Sequence, residues 1–251
     1  MGNRLVAALC ARRGTVLLSC RVMKETKIVT IAEEHYLKCI HLAGGFQEPV
    51  SVKVIAVELG ASQASIAEML KKLQQKQLVQ YKPYLGVELT TKGKQLARKT
   101  IRVQRLWEVF LVDKLQLSWD EVHEATEELE HVRSEKVIER LDAFLGFPKY
   151  DPHGDPIPDL KGDMLEKSDV LLNEIRKGQN GVISGVLQQS KSFLQHLNQL
   201  GLRIGTPFTV KNHFPFDGSL EIFTENRTIT LSREVSSQIR VVPGKMNKKT
   251  M

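Results

Sequence analysis

Residues 51–73 read SVKVIAVELGASQASIAEMLKKL, and this stretch decides how the N-terminal half is organised. Ser51 is a predicted N-cap for a short helix carrying Val52, Ile55, Ala56 and Leu59, and Gly60 follows where a left-handed C-cap costs least. Ser62 opens a second helix, with Ile66, Met69, Leu70 and Leu73 at i, i+3, i+4 and i+7. Two helices joined by a tight glycine turn read as a helix-turn-helix. Upstream, Ile31, Leu37 and Ile40 lie close to one face of a helix that ends before Gly44-Gly45. Downstream, Leu78–Lys82 and Val87–Thr90 flank the turn Pro83-Tyr84-Leu85-Gly86 as a hairpin. Helices plus hairpin make a winged helix.

A long helix is predicted from Thr91 to Leu115, ~37 Å at 1.5 Å per residue. Ser118-Trp119-Asp120-Glu121 reads as a capping box that opens one helix through His131, and Val137, Ile138, Leu141, Phe144 and Leu145 mark a further helix ending at Gly146. Residues 148–163, PKYDPHGDPIPDLKGD, hold four of the nine prolines and read as an ordered crossing. Short glycine-punctuated elements follow, then β-like runs at Phe208–Lys211, Leu220–Thr224, Thr228–Leu231 and Ile239–Val242, with Asp217-Gly218 as a turn signal. A small β-barrel is the expected closure of such strands. The fold class is therefore mainly α with β.

In a helix-turn-helix the start of the second helix meets base edges in the major groove. Here that is Ser62, Gln63, Ala64 and Ser65, small and uncharged, with Gln63 able to pair with adenine. Lys71, Lys72, Lys82, Lys92 and Lys94 surround them as candidates for phosphate contact. The formal charge of +7 is weaker evidence. Four of the positive residues, Arg4, Arg12, Arg13 and Arg21, lie in residues 1–22, which hold no acid, and the rest of the chain carries only +3.

The sharpest chemical signal is His123, Glu127, Glu130 and His131, which i, i+4, i+7 and i+8 spacing would place on one helix face. Imidazole and carboxylate without thiolate suit Mn(II) or Fe(II), although Zn(II) would bind them tightly. Spacing alone leaves a solvated acidic helix as the alternative, and neither His-Glu-x-x-His nor His-x-x-Glu-His is present.

With these segments in hand, the chain resembles the DtxR/MntR family of metal-dependent transcriptional repressors, in its longer three-part form. The resemblance covers about residues 30–243. It is carried by LWEVFLVDKL (106–115), VHEATEELEHVRSEKVIERLDAFLGFP (122–148), DPHGDPIP (151–158) and the C-terminal stretches GLRIGTPFTVKNHFPFDGSLEIF (201–223) and ITLSREVSSQIRVV (229–242). It implies a winged helix-turn-helix domain, a helical metal-binding and dimerisation domain, and a C-terminal SH3-like, FeoA-type β-barrel. The expected spans are 28–92, 93–164 and 165–244, after an N-terminal extension over 1–27 and before a basic tail over 245–251.

The family's primary metal site, carried over, falls on Glu127, Glu130, His131 and His35 in EEHYLK (33–38). Iron-sensing members have cysteine where this chain has Glu127, which favours manganese. The second site falls on Glu108, His123, His153 and Asp151. Two departures mark it: a family histidine is Gln104 here, and a family cysteine before Pro-His-Gly is Asp151. The implied function is a repressor that binds double-stranded operator DNA as a homodimer under Mn(II), with Fe(II) as second candidate. Its dimer seam would be the helix Val137–Leu145. No enzymatic activity, organic cofactor or membrane partner is expected. Three cysteines, Cys10, Cys20 and Cys39, cannot build a disulfide framework and fit a reducing cytoplasm, and Arg12-Arg13 breaks the apolar run a signal peptide needs. The alternatives are a winged-helix regulator with a non-metal effector and a Glu/His metal hydrolase.

Overall fold

The computed structural model describes residues 29–244; the extension and the basic tail expected at the two ends lie outside the described residues. Helix α1 (Ile31–Leu42) starts on a capping box in which Thr30 and Glu33 satisfy each other's backbone N–H. Leu37 and Ile40 are buried, whereas Ile31 is exposed and does not belong to the inner face. Helices α2 (Val52–Glu58) and α3 (Gln63–Gln75) are capped by the Ser51 and Ser62 side chains. Ile66, Leu70 and Leu73 of α3 are fully buried, each worth about 2 kcal/mol. Strands β1 (Val79–Lys82) and β2 (Gly86–Leu89) pair antiparallel as the wing. They and Ala97, near the start of the next helix, close the first core.

Helix α4 (Thr91–Asp113) begins on the Thr90 cap. It leaves the wing so closely that a Cβ on Gly93 would sit 2.0 Å from the Leu78 carbonyl oxygen. Its far half carries Val103, Leu106 and Val109, which form a second core with Ile138 and Leu141 of α6 (Glu135–Phe144) and Ile157 of the crossing. The proline-rich crossing is held by α4. Arg102 donates to the Pro158 carbonyl (2.6 Å) and to Asp142 (2.5 Å), and Arg105 donates to the Pro156 carbonyl (2.5 Å).

The expected single helix from Ser118 to His131 is broken. Ser118 and Glu121 do bond each other, but helix α5 covers only Val122–Thr126, and Leu129–His131 is a separate 3₁₀ turn. The Thr126 hydroxyl donates back to the carbonyls of Val122 (3.1 Å) and His123 (2.9 Å), a bond that competes with the helical ladder and bends it. Glu124, Glu127, Glu128 and Glu130 crowd the same two turns with like charge.

The third unit is a six-stranded antiparallel sheet of β3 (Val170–Leu171), β4 (Asn180–Val186), β5 (Pro207–His213), β6 (Leu220–Thr224), β7 (Arg227–Leu231) and β8 (Ile239–Pro243), in the order β3-β8-β4-β5-β6-β7. The sequence reading did not resolve glycine-containing β4 or helix α7 (Lys191–Gln199), nor the short β3 and α8 (Arg233–Ser236). The sheet is not closed into the expected barrel by hydrogen bonds between β3 and β7. Phe193, Leu194 and Leu197 of α7 fill the core beside it instead. A short helix α8 (Arg233–Ser236) leads into β8.

Trp119 belongs to this third core although it precedes α5, and its indole N–H donates to Asn198 (2.9 Å). The crossing presses on the same unit. Gly154 has φ +83, and a Cβ there would meet the Ser184 carbonyl at 2.1 Å. Arg240 donates to Asp155 (2.5 Å), and the Val186 N–H to the His153 carbonyl (3.1 Å).

Candidate metal centre

Two clusters of donor atoms stand out among the described residues: His35, Glu130 and His131, and Glu108, His123 and His153. The first joins α1 to the 3₁₀ turn. His35 Nε2 lies 3.0 Å from His131 Nε2 and 2.9 Å from Glu130 Oε1, and His131 Nε2 lies 3.7 Å from Glu130 Oε1. With metal–ligand bonds of ~2.1 Å, donors at right angles stand ~3.0 Å apart, so this triangle has the dimensions of one face of a coordination shell. His131 Nδ1 donates to Glu34 (2.9 Å). A carboxylate behind the ring holds its other nitrogen free and aimed at the site, as metal-binding histidines require.

Glu130 is buried, and Lys38 donates to both its oxygens. Neither Glu34 nor Lys38 was singled out from sequence. Part of the signal was present: Lys38 stands three residues after His35 and four after Glu34, on neighbouring positions of the α1 surface. A cleft of ≈ 390 Å³ lined by Glu34, Glu130, His131, Lys92 and Lys99 opens beside the cluster.

The second cluster joins α4, α5 and the crossing. Glu108 Oε1 lies 3.2 Å from His123 Nδ1, and Oε2 lies 3.8 Å from His153 Nδ1. His153 is completely buried, and its Nε2 donates to the Trp119 carbonyl (2.8 Å). In the neutral ring that bond leaves Nδ1 as the lone-pair nitrogen, buried, 3.8 Å from Glu108 Oε2 and without a hydrogen-bond partner. Such an orphaned acceptor fits a metal ligand. Burial pushes the Glu108 carboxyl up, and the His123 and His153 imidazoles more than offset it, holding it below the usual carboxylate range. For His153 burial presses the ring down, and Glu108 and Asp151 more than offset that.

The expected ligand sets meet these clusters only in part. Glu127 is exposed and joins neither cluster, because the break after Thr126 turns it away from the face that carries Glu130. His123 is parted from Glu130 and His131 for the same reason. Asp151 stands outside the second cluster: Oδ1 accepts from the backbone of His153 (2.9 Å) and Asp155 (2.8 Å), and Oδ2 pairs with Arg105 (3.2 Å). Burial and then the nearby Glu108 push its carboxyl up to about 6. It shapes the loop that presents His153. Gln104 acts as a donor, holding Glu108 Oε1 at 2.8 Å.

At the other end of the first unit, Ser62, Gln63, Ala64 and Ser65 are all exposed at the start of α3, with Lys71, Lys72 and Lys82 exposed around them. Lys92 is exposed too, but lines the cleft beside the first cluster. Helices α1 and α3 are tied by the Glu33–Lys76 ion pair (2.7 Å). Burial raises the Glu33 carboxyl and the bond from Lys76 more than offsets this, so it is held low. Among the described residues no helix is long and apolar enough to cross a membrane.

Models of three families match in chain order. The N-terminal DNA-binding domain of iron-dependent repressors matches residues 29–87, their metal-binding and dimerisation domain residues 90–159, and the FeoA domain residues 170–243. The iron-dependent repressor IdeR of Mycobacterium leprae is 38% identical over 106 residues, 42% of this chain and 46% of that protein, so this match spans about half of that relative. The diphtheria toxin repressor of Corynebacterium glutamicum is 27% identical over 197 residues, 74% of this chain and 85% of that one. A solved manganese-dependent transcriptional repressor in complex with manganese is 33% identical, covers 83% of this chain and 98% of its own, and superposes with a TM-score of 0.75.

Proposed function

This chain belongs to the DtxR/MntR family of metal-dependent transcriptional repressors, and from that premise we propose that His35, Glu130 and His131 are its primary metal ligands. The observation that carries the reading is the triangle of donor atoms bridging α1 and the 3₁₀ turn. A divalent ion supplies charge there that draws the three side chains together. His35 stands on α1, two residues after Glu33, whose partner Lys76 caps the C-terminus of α3. Ordering α1 therefore bears on the set of the recognition helix. Glu108, His123 and His153 form the second site, tied through Trp119 and the crossing to the C-terminal unit. The spans 28–92, 93–164 and 165–244 are proposed as the chain's three units, with Ala97 packing into the first core and Trp119 into the third.

Two neutral imidazoles and one carboxylate bind Fe(II) more tightly than Mn(II) by the Irving–Williams order. Mn(II) fills such a site where its supply exceeds that of Fe(II). Ser62 to Ser65 read the major groove of double-stranded DNA, and Lys71, Lys72 and Lys82 meet phosphates. Val137, Phe144 and Phe147 leave α6 and its end with an exposed apolar face that suits the seam of a homodimer placing two recognition helices ~34 Å apart. The site of action is the cytoplasm, where operator DNA lies.

The test is a DNA-binding titration of the full chain against a duplex selected from a random pool, at fixed salt because salt alone moves such affinities by orders of magnitude. Mn(II) or Fe(II) is expected to raise affinity at least tenfold, and chelator to reverse it. Affinity indifferent to chelator would overturn metal gating, and gating retained in His35→Ala and His131→Ala would overturn the ligand assignment.

A further inference from the structure

Lys38 stands three residues after His35 on α1, and its ammonium lies 2.7 Å from Glu130 Oε1 and 2.6 Å from Oε2. The Glu130 side chain is 1% exposed and that of Lys38 18%. Oε1 is also the oxygen 2.9 Å from His35 Nε2, so the ammonium occupies the carboxylate edge that faces the donor triangle. We propose that Lys38 is an internal cation that holds Glu130 while the site is empty and sets the ion concentration at which the His35–Glu130–His131 cluster fills. The proposal rests on the reading of that cluster as a metal site.

A carboxylate this deeply buried is costly without a partner. Lys38 supplies one from α1, so the helix and the 3₁₀ turn stay joined before any ion arrives. The same charge opposes a divalent ion approaching Oε1, because two positive centres a few ångströms apart repel strongly where water is scarce. Filling the site requires Lys38 either to swing out through its partly exposed flank or to withdraw to Oε2 and remain beside the ion. Both raise the concentration for half-filling. Arg133 pairs with Glu34 (3.6 Å), and Lys92 and Lys99 line only the adjoining cleft, so Lys38 is the lysine in contact with the ligand itself.

The experiment compares the full chain with Lys38→Met, Lys38→Gln and Lys38→Arg, all in a His153→Ala background that removes the second cluster. Mn(II) binding is followed by the signal of the free ion, and Co(II) binding by its visible absorption. Lys38→Met and Lys38→Gln are expected to bind Mn(II) at least tenfold more tightly than the parent, with Lys38→Arg near the parent. In chelator Lys38→Met should melt below the parent and regain the difference on adding Mn(II). The glutamine variant keeps a hydrogen bond to Glu130 and covers the case in which the methionine variant does not fold. Equal or weaker Mn(II) affinity in the uncharged variants overturns the role of Lys38. A parent that binds neither ion overturns the metal reading of the cluster, and this proposal with it.

Discussion

Acid should loosen the DNA-binding head through one buried residue that belongs to neither donor cluster. His41, at the end of α1, is 2% exposed, its ring lies tilted against that of Phe46 with centroids 4.7 Å apart, and its Nδ1 has no hydrogen-bond partner. Burial, and then the positive charges of Arg98, Arg105 and Lys94, push the imidazole down from 6.5 to about 4. The fold accepts the neutral ring. Its contribution is therefore complete above the unfolded value near 6.5 and is lost as pH falls toward 4. At about 1.4 kcal/mol per pH unit, the gap is worth about 3 kcal/mol in all, of which about 2 kcal/mol disappears between pH 7 and pH 5. That is a large share of the 5–15 kcal/mol that holds a typical domain together. The perturbation is His41→Phe, which keeps an aromatic ring against Phe46 and cannot titrate. Urea unfolding of the metal-free protein would be followed by circular dichroism at pH 7, 6 and 5. Every other acid-sensitive group is common to both proteins, so the difference between them isolates His41. At pH 7 the two should agree within about 1 kcal/mol, and by pH 5 the variant should have gained about 2 kcal/mol on the parent. Stability curves that fall in parallel would refute the reasoning.

Three further outcomes follow from the same geometry. Glu34→Gln, which weakens the hold on His131 Nδ1 without removing a ligand, should lower Mn(II) affinity roughly 10- to 100-fold; calorimetry showing no change would remove Glu34 from the site. Arg102→Met strands buried Asp142 and should cost about 3–5 kcal/mol in urea, with Arg102→Met/Asp142→Leu recovering most of it; a double variant no better than the single would show that the Pro158 contact dominates. Gly154→Ala places a Cβ 2.1 Å from the Ser184 carbonyl and should part the crossing from β4, read as faster proteolysis within residues 148–163. Cleavage at the parent rate would show that the loop adjusts without undocking.

Much of the first unit was legible because its signals are local. Serine and threonine caps, a glycine turn and apolar residues at helical spacing fall within a few residues of one another, and Ile66, Leu70 and Leu73 are buried as their spacing requires. The third unit was less so. Short β5 to β8 announce themselves by β-branched runs, but β4 is diluted by glycines whose role is to let Gly154 and Phe208 approach its backbone.

By itself the sequence determined the winged head, the long helix behind it, the ordered crossing and the types of donor available for a metal. The tertiary structure decided which donors meet. Helical spacing grouped His123, Glu127, Glu130 and His131, yet the helix ends at Thr126, whose hydroxyl bonds back to the preceding turn and bends it. Glu130 and His131 then meet His35 from α1, while His123 meets Glu108 and His153 from two other elements. Lys38 and Glu34 enter the site across more than ninety residues of chain. Spacing along one helix reports only neighbours that the helix itself creates. Clusters assembled from α1 and a 3₁₀ turn, and from α4, α5 and a loop, are set by how the cores pack, and that no local pattern records.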